Sequence, residues 1–167
     1  VDKLKVTAER FGLGNKVLGE YFENEKAGQF PDTRWKIDEL GKGWVLGETL
    51  ITGIGQGYTQ TTPLQLCLMT AQIANGGYKI KPKILTNDNE LISKQVKKAM
   101  EDSNLNNSNI PLFDNQKNIK IIQEAMFSST NELRGTSYKS RIDDPKYQFA
   151  GKTGTAQVKR ISKRERE

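Results

Sequence analysis

The chemistry in this chain is concentrated in Ala150-Gly151-Lys152-Thr153-Gly154-Thr155-Ala156-Gln157, where a cation, two hydroxyls and positions without a Cβ follow one another closely. A Lys-Thr-Gly triplet is one of three pieces of a serine acyl-transfer site, the others being Ser-x-x-Lys and Ser-x-Asn. Drawn out as a strand, period-two geometry sends Thr153 and Thr155 to one face and Lys152 and Gly154 to the other. Two hydroxyls then face one ligand, and the missing side chain at Gly154 lets another backbone come close. An edge strand built this way can take an extended peptide by strand addition, its hydroxyls on a carboxylate and a backbone N–H on an oxyanion. The alternative is a plain edge strand on which Lys152 blunts aggregation.

The remaining residues narrow the chemistry. None of the serines at 93, 103, 108, 128, 129, 137, 140 and 162 has a lysine three positions on, so the nucleophile motif is missing. Ser129-Thr130-Asn131 has Ser-x-Asn spacing but falls at the end of a predicted helix, where such residues cap and terminate. There is no His and one Cys, which excludes a His-based triad, His-containing zinc sites and a CxxC redox pair. No metal or cofactor is predicted. Cys67, between Leu66 and Leu68, reads as a small core residue. Gly151-Lys152-Thr153 ends like a Walker loop, but Lys146 stands where that motif needs its first glycine. In Gly53-Ile54-Gly55-Gln56-Gly57-Tyr58 a tyrosine replaces the third glycine of a dinucleotide loop, leaving a glycine-rich turn.

The elements that must position these residues are legible in patches. Residues 2–11 place Leu4, Ala8 and Phe11 on one helical stripe, ended by Gly12 and Gly14. Residues 14–47 read as an irregular surface segment with a turn at Pro31-Asp32 and anchors at Trp35, Ile37 and Trp44. Thr62 as N-cap and Pro63 at the first helical position start a helix that Asn75-Gly76-Gly77 stops, with Leu64, Cys67, Leu68 and Ala71 facing the core. Residues 78–85 read as an extended edge or connector broken by Pro82, and 102–118 as a loop. A second amphipathic helix spans about 117–128 through Ile119, Ile122, Ala125 and Met126. After a turn at Arg134-Gly135-Thr136-Ser137, residues 147–158 are the strand that carries Lys152. Of the net charge of +6 over 167 residues, half sits in residues 159–167, so the body has no basic footprint and nucleic-acid binding is not expected. No apolar run reaches the roughly 18 residues of a membrane span.

Taken in order, Gly53-Ile54-Gly55-Gln56-Gly57-Tyr58, Thr62-Pro63-Leu64-Gln65, Ala74-Asn75-Gly76-Gly77 and Gly151-Lys152-Thr153-Gly154-Thr155-Ala156-Gln157 make the chain resemble the transpeptidase domain of class B penicillin-binding proteins. Gly28-Gln29-Phe30-Pro31-Asp32-Thr33-Arg34-Trp35-Lys36 looks like the elongation-type member, penicillin-binding protein 2. The resemblance implies an α+β, β-lactamase/transpeptidase-like fold of helices on an antiparallel sheet. Residues 1–167 would be part of that domain, lying after the Ser-x-x-Lys and Ser-x-Asn motifs and ending just past the Lys-Thr-Gly strand. It implies a D,D-transpeptidase that crosslinks peptidoglycan stem peptides through a serine acyl-enzyme and is acylated by β-lactams. By the same resemblance Lys152 and Thr155 are catalytic, Lys152 polarising the Ser-x-Asn serine and Thr155 giving an oxyanion N–H. Thr153 binds the substrate carboxylate and Gly154 keeps the strand open. The implied setting is the bacterial inner membrane, the catalytic domain in the periplasm beside a membrane glycosyltransferase and the anchor outside this segment. A β-lactamase or D,D-carboxypeptidase of the same superfamily, and a non-catalytic interaction module, are the alternatives.

Overall fold

The computed structural model describes residues 1–18, 22–82 and 110–156, and the chain divides into two compact units, Val1–Gln116 and Lys117–Glu167. The first unit opens on α1, Asp2–Arg10, with Asp2 in its first turn and Arg10 in its last, each sign matching the helix dipole there. Gly12, at φ 93°, turns the chain out of it. Of the predicted stripe, Ala8 and Phe11 are buried and Leu4 is exposed, while Leu13, just past the helix, is buried as well.

Residues 14–47 are less irregular than their composition suggests. Helix α2, Thr33–Leu40, starts where the carboxylate of Asp32 accepts the Trp35 N–H at 2.6 Å, so the predicted turn at Pro31-Asp32 is a helix cap. Gly41 closes α2 in the left-handed conformation. Helix α3, Leu46–Gly53, is held at its start by Glu48, whose carboxylate accepts the Val45 N–H at 2.9 Å. Helix α4, Pro63–Ala74, matches its predicted start and stop: Thr62 accepts the Gln65 N–H, and Asn75 follows the last turn. Its buried face differs, being Gln65, Leu68 and Gln72. Cys67 is exposed, because a residue two positions after Gln65 lies about 160° round the helix from it.

Pairing of extended chain is sparse. Among the described residues it consists of two isolated antiparallel bridges, Gln29 with Gln60 and Tyr78 with Pro111. The predicted segment 78–85 thus pairs at its first residue, with Lys79 N–H on the Ile110 carbonyl and Leu112 N–H on that of Gly77, while Ile84 lies outside the described residues. The antiparallel sheet of the expected fold is not seen among the described residues. Of the predicted loop 102–118, residues 110–116 are irregular and 102–109 lie outside the described residues.

The second unit is led by α5, Lys117–Asn131, one turn longer than its apolar pattern predicts. Ile119 is buried in it, and Thr130 is completely so, whereas Ile122 and Ala125 are exposed. The predicted turn follows, with Gly135 N–H on the Glu132 carbonyl and Ser137 N–H on that of Ser129. Two 3-10 turns, Tyr138–Ser140 and Pro145–Tyr147, lead to the Lys152 segment. No described helix is long and apolar enough to cross a membrane.

Candidate functional site

The Lys152 segment departs from its predicted form. Tyr147 belongs to a 3-10 turn, residues 148–156 form no strand, and Gln157 and Val158 lie outside the described residues. A strand exists through its ladder, and no described residue offers these backbone groups one. What holds the segment is a helix end. The Gly151 N–H donates to the Met126 carbonyl at 3.1 Å, and the Asn131 side-chain amide donates to the Phe149 carbonyl at 2.9 Å. Thr130 fills the space beside Gly151: its hydroxyl oxygen lies 3.2 Å from where a Cβ on Gly151 would stand.

Beyond that anchor the chain is exposed from Lys152 to Ala156. The Lys152 ammonium does not take the face opposite Thr153; it folds over to the Thr153 carbonyl at 2.6 Å and hydroxyl at 3.3 Å. A cation and a hydroxyl are therefore brought together, which suits recognition of a carboxylate more directly than the alternating arrangement. A Cβ on Gly154 would meet open space. Ser129 and Asn131 are engaged locally, the serine hydroxyl 3.1 Å from that of Thr136 and the amide on the Phe127 and Phe149 carbonyls, as expected of helix-ending residues.

The other motifs lie in the first unit and are structural in their contacts. Gln65 is fully buried; its amide donates to the carbonyls of Asn15 at 2.8 Å and Ala27 at 2.6 Å, and its oxygen accepts the Thr62 N–H. That bolts the Gly28–Lys36 segment to the start of α4. Gly28, at φ 65°, passes so close to the Gln60 carbonyl that any Cβ would collide with it. Asp32 accepts from Lys5 at 2.7 Å and from the Trp35 N–H, and these donors, Lys5 first, hold its carboxyl below the usual range. Lys36, almost wholly buried, donates to both oxygens of Glu48 at 2.5 and 2.6 Å and keeps that carboxyl low as well, helped by the Val45 N–H. Tyr58 reaches Glu48 at 3.4 Å and stacks obliquely on Trp35, 5.2 Å between ring centres, so the glycine-rich run ends on this network. A shallow groove lined by Lys5, Glu9, Gly28 and Trp35 also lies in this unit, but its lysine is already paired with Asp32. Sequence reading missed the Lys36–Glu48 pair; the signal available was a Glu at the third position of an apolar run, where it caps.

The family model described as the penicillin binding protein transpeptidase domain matches residues 1–167. Peptidoglycan D,D-transpeptidase MrdA of Acinetobacter baumannii is 33% identical over 166 residues, covering 99% of this chain and 23% of the relative. MrdA of Escherichia coli K12 is 30% identical over 159 residues, covering 95% and 24%. The chain thus spans about a quarter of the length of these curated relatives. Among solved structures, PBP2 of Helicobacter pylori, in a complex with MreC, aligns with a TM-score of 0.73 at 31% identity over 95% of this chain and 26% of that one. PBP2 of Pseudomonas aeruginosa, in complex with WCK 5153, aligns at 0.70 and 32% identity over 95% and 33%. The chain belongs to the penicillin binding protein transpeptidase domain family, and within it to the PBP2/MrdA type.

Proposed function

We propose that this chain supplies one wall of the acyl-transfer site of an elongation-type peptidoglycan D,D-transpeptidase. The observation that carries the reading is the ordered motif set within a family match along the whole chain, ending on an exposed Lys-Thr-Gly segment. In the reaction, a serine supplied by the Ser-x-x-Lys motif attacks the carbonyl of a D-Ala-D-Ala stem. A Ser–O–C bond forms, the peptide C–N bond breaks, and the leaving D-Ala amine takes the proton. An acceptor amine then attacks the ester, restoring the serine and making the crosslink. Lys152 polarises the Ser-x-Asn serine, Thr153 binds the substrate carboxylate, Gly154 leaves room for the ligand, and the Thr155 N–H faces the developing oxyanion. β-Lactams acylate the same serine, and no cofactor enters.

The setting that fits is the periplasmic face of the bacterial inner membrane, with a membrane glycosyltransferase as partner. That PBP2 of Helicobacter pylori is seen with MreC supports a multiprotein setting. Because no serine of this chain has the nucleophile spacing, the 167 residues by themselves form no acyl-enzyme. Gel labelling with a fluorescent penicillin tests both statements. The isolated chain is expected to take up no label. A polypeptide that joins this segment to the rest of a transpeptidase domain is expected to label, and Lys152→Ala in it to label about 100-fold more slowly. Stoichiometric labelling of the isolated chain, or an unchanged rate in K152A, overturns the reading. Slow loss of the label once formed separates a transpeptidase from a β-lactamase.

A further inference from the structure

We propose that Asn131, at the end of α5, is a positioning residue that sets where Lys152 and Thr153 stand; the proposal rests on the reading of that segment as the acyl-transfer wall. The side chains of the wall do not fix it. Lys152 bonds to its neighbour Thr153, and residues 152–156 are exposed. The position is inherited from residues 149–151, and these are clamped at two points by the last turns of α5. One clamp is backbone, Gly151 N–H to the Met126 carbonyl at 3.1 Å. The other is the Asn131 amide, whose two protons go to the Phe127 carbonyl inside the helix and to the Phe149 carbonyl outside it, both at 2.9 Å. An amide is the side chain that can do this, since it has two donors and a geometry that splits them between helix and loop.

The surroundings keep that clamp in register. Thr130, fully buried, packs closely on Gly151, its hydroxyl oxygen 3.2 Å from where a Cβ would stand. The carbonyl of Ser129 accepts the Ser137 N–H at 3.0 Å. At Gly135 a Cβ would collide with that carbonyl and stand 2.6 Å from the carbonyl of Ser128, so the chain passes against the end of α5 where no side chain fits. Phe149 lies three residues before Lys152 and four before Thr153. Freeing its carbonyl leaves the Gly151 bond as the hold of α5 on the wall among the described residues, and displacement of about 1 Å at a reacting site costs on the order of 100-fold in rate.

The test uses the polypeptide that joins this segment to the rest of the transpeptidase domain, with benzylpenicillin and its methyl ester competing against a fluorescent penicillin. The ratio of acid to ester acylation constants reads the carboxylate contact and does not depend on what fraction of the protein is folded. Asn131→Ser keeps a hydroxyl that can bond back to the Phe127 carbonyl but cannot reach Phe149; Asn131→Ala removes both bonds. Both are expected to slow acylation by the free acid at least 10-fold and to cut the acid-to-ester preference at least 3-fold. Thr153→Ala is the reference. If T153A loses the preference while N131S and N131A keep it, the positioning role is overturned and the acyl-transfer reading stands. If T153A itself keeps the preference, the reading of the wall fails and the positioning role with it.

Discussion

Replacing Gln65 isolates how the first unit is tied together. The side chain is fully buried and makes three hydrogen bonds, two donated to the Asn15 and Ala27 carbonyls and one accepted from the Thr62 N–H. Gln65→Met keeps the shape and removes all three. Each bond contributes about 1 kcal/mol net, and each orphaned buried partner adds to the loss, so about 3 kcal/mol is expected after the gain from the apolar side chain. Gln65→Glu sharpens the test. One carboxylate oxygen still accepts from Thr62, but the other now faces two carbonyls with no proton between them. Burial and those carbonyls push its pKa above the ordinary value of about 4.3, so the protonated form favours folding. Stability of Q65E is therefore present at low pH and lost as pH rises through that raised value, the reverse of ordinary acid denaturation. Urea unfolding followed by the fluorescence of Trp35 and Trp44, both in the first unit, reads the change. A Q65M protein within about 1 kcal/mol of the parent, or a Q65E protein that weakens steadily on acidification, refutes the account.

Three further outcomes are expected. Gly28→Ala must place a side chain at φ 65° and against the Gln60 carbonyl, so a loss of at least about 2 kcal/mol in the same urea assay is expected, with the Gln29–Gln60 bridge opening in amide exchange. Glu48 and Asp32 both titrate below their ordinary values of 4.5 and 3.8. Depressed carboxyls contribute stability that is present above those ordinary values and lost as pH falls through the folded ones, so Glu48→Gln should flatten the fall in urea midpoint below about pH 4.5. Leu46, Leu50 and Ile54 form a stripe at four-residue spacing on and just beyond α3, each more than two-thirds exposed. The isolated chain should self-associate through it, and Leu50→Lys with Ile54→Lys should lower the mass seen by light scattering.

How much of this the sequence reveals depends on whether the signal is local. Helix α4 was legible because Thr62, Pro63 and Asn75-Gly76-Gly77 act on their own backbone. Its buried face was not, because apolar spacing points to Leu64, Cys67 and Ala71, whereas two glutamines are drawn inside by carbonyls of segments about 40 to 60 residues away. Helix α2 was hidden by a competing reading of one residue: Asp32 serves equally as a turn former and as an N-cap, and only the Trp35 N–H decides. At the candidate site the residue types were legible and their support was not. Lys152, Thr153 and Gly154 stand out by chemistry, but the helix end that anchors them offers only a common Ser-Thr-Asn run. A strand prediction from period-two chemistry also presumes a neighbour that sequence cannot supply.

The motifs that mark the family divide by where their polar groups are used, and that division can be tested with two threonines. Thr62 caps α4 and its backbone N–H is taken by Gln65; its hydroxyl and amide are both engaged within the fold. Thr153 is exposed, and its hydroxyl touches the Lys152 ammonium and is open to a ligand's oxygens. Thr62→Ala is therefore expected to cost about 1 kcal/mol of stability and leave the preference for a free carboxylate over its ester unchanged. Thr153→Ala should do the opposite, lowering the preference while the unfolding free energy stays within about 0.5 kcal/mol of the parent, as for a surface substitution. The two readouts respond to different physics, burial in one case and a ligand's charge in the other. A T62A protein that lost the carboxylate preference, or a T153A protein that lost stability instead, would mean that the exposed wall and the buried hardware are not separable in this chain.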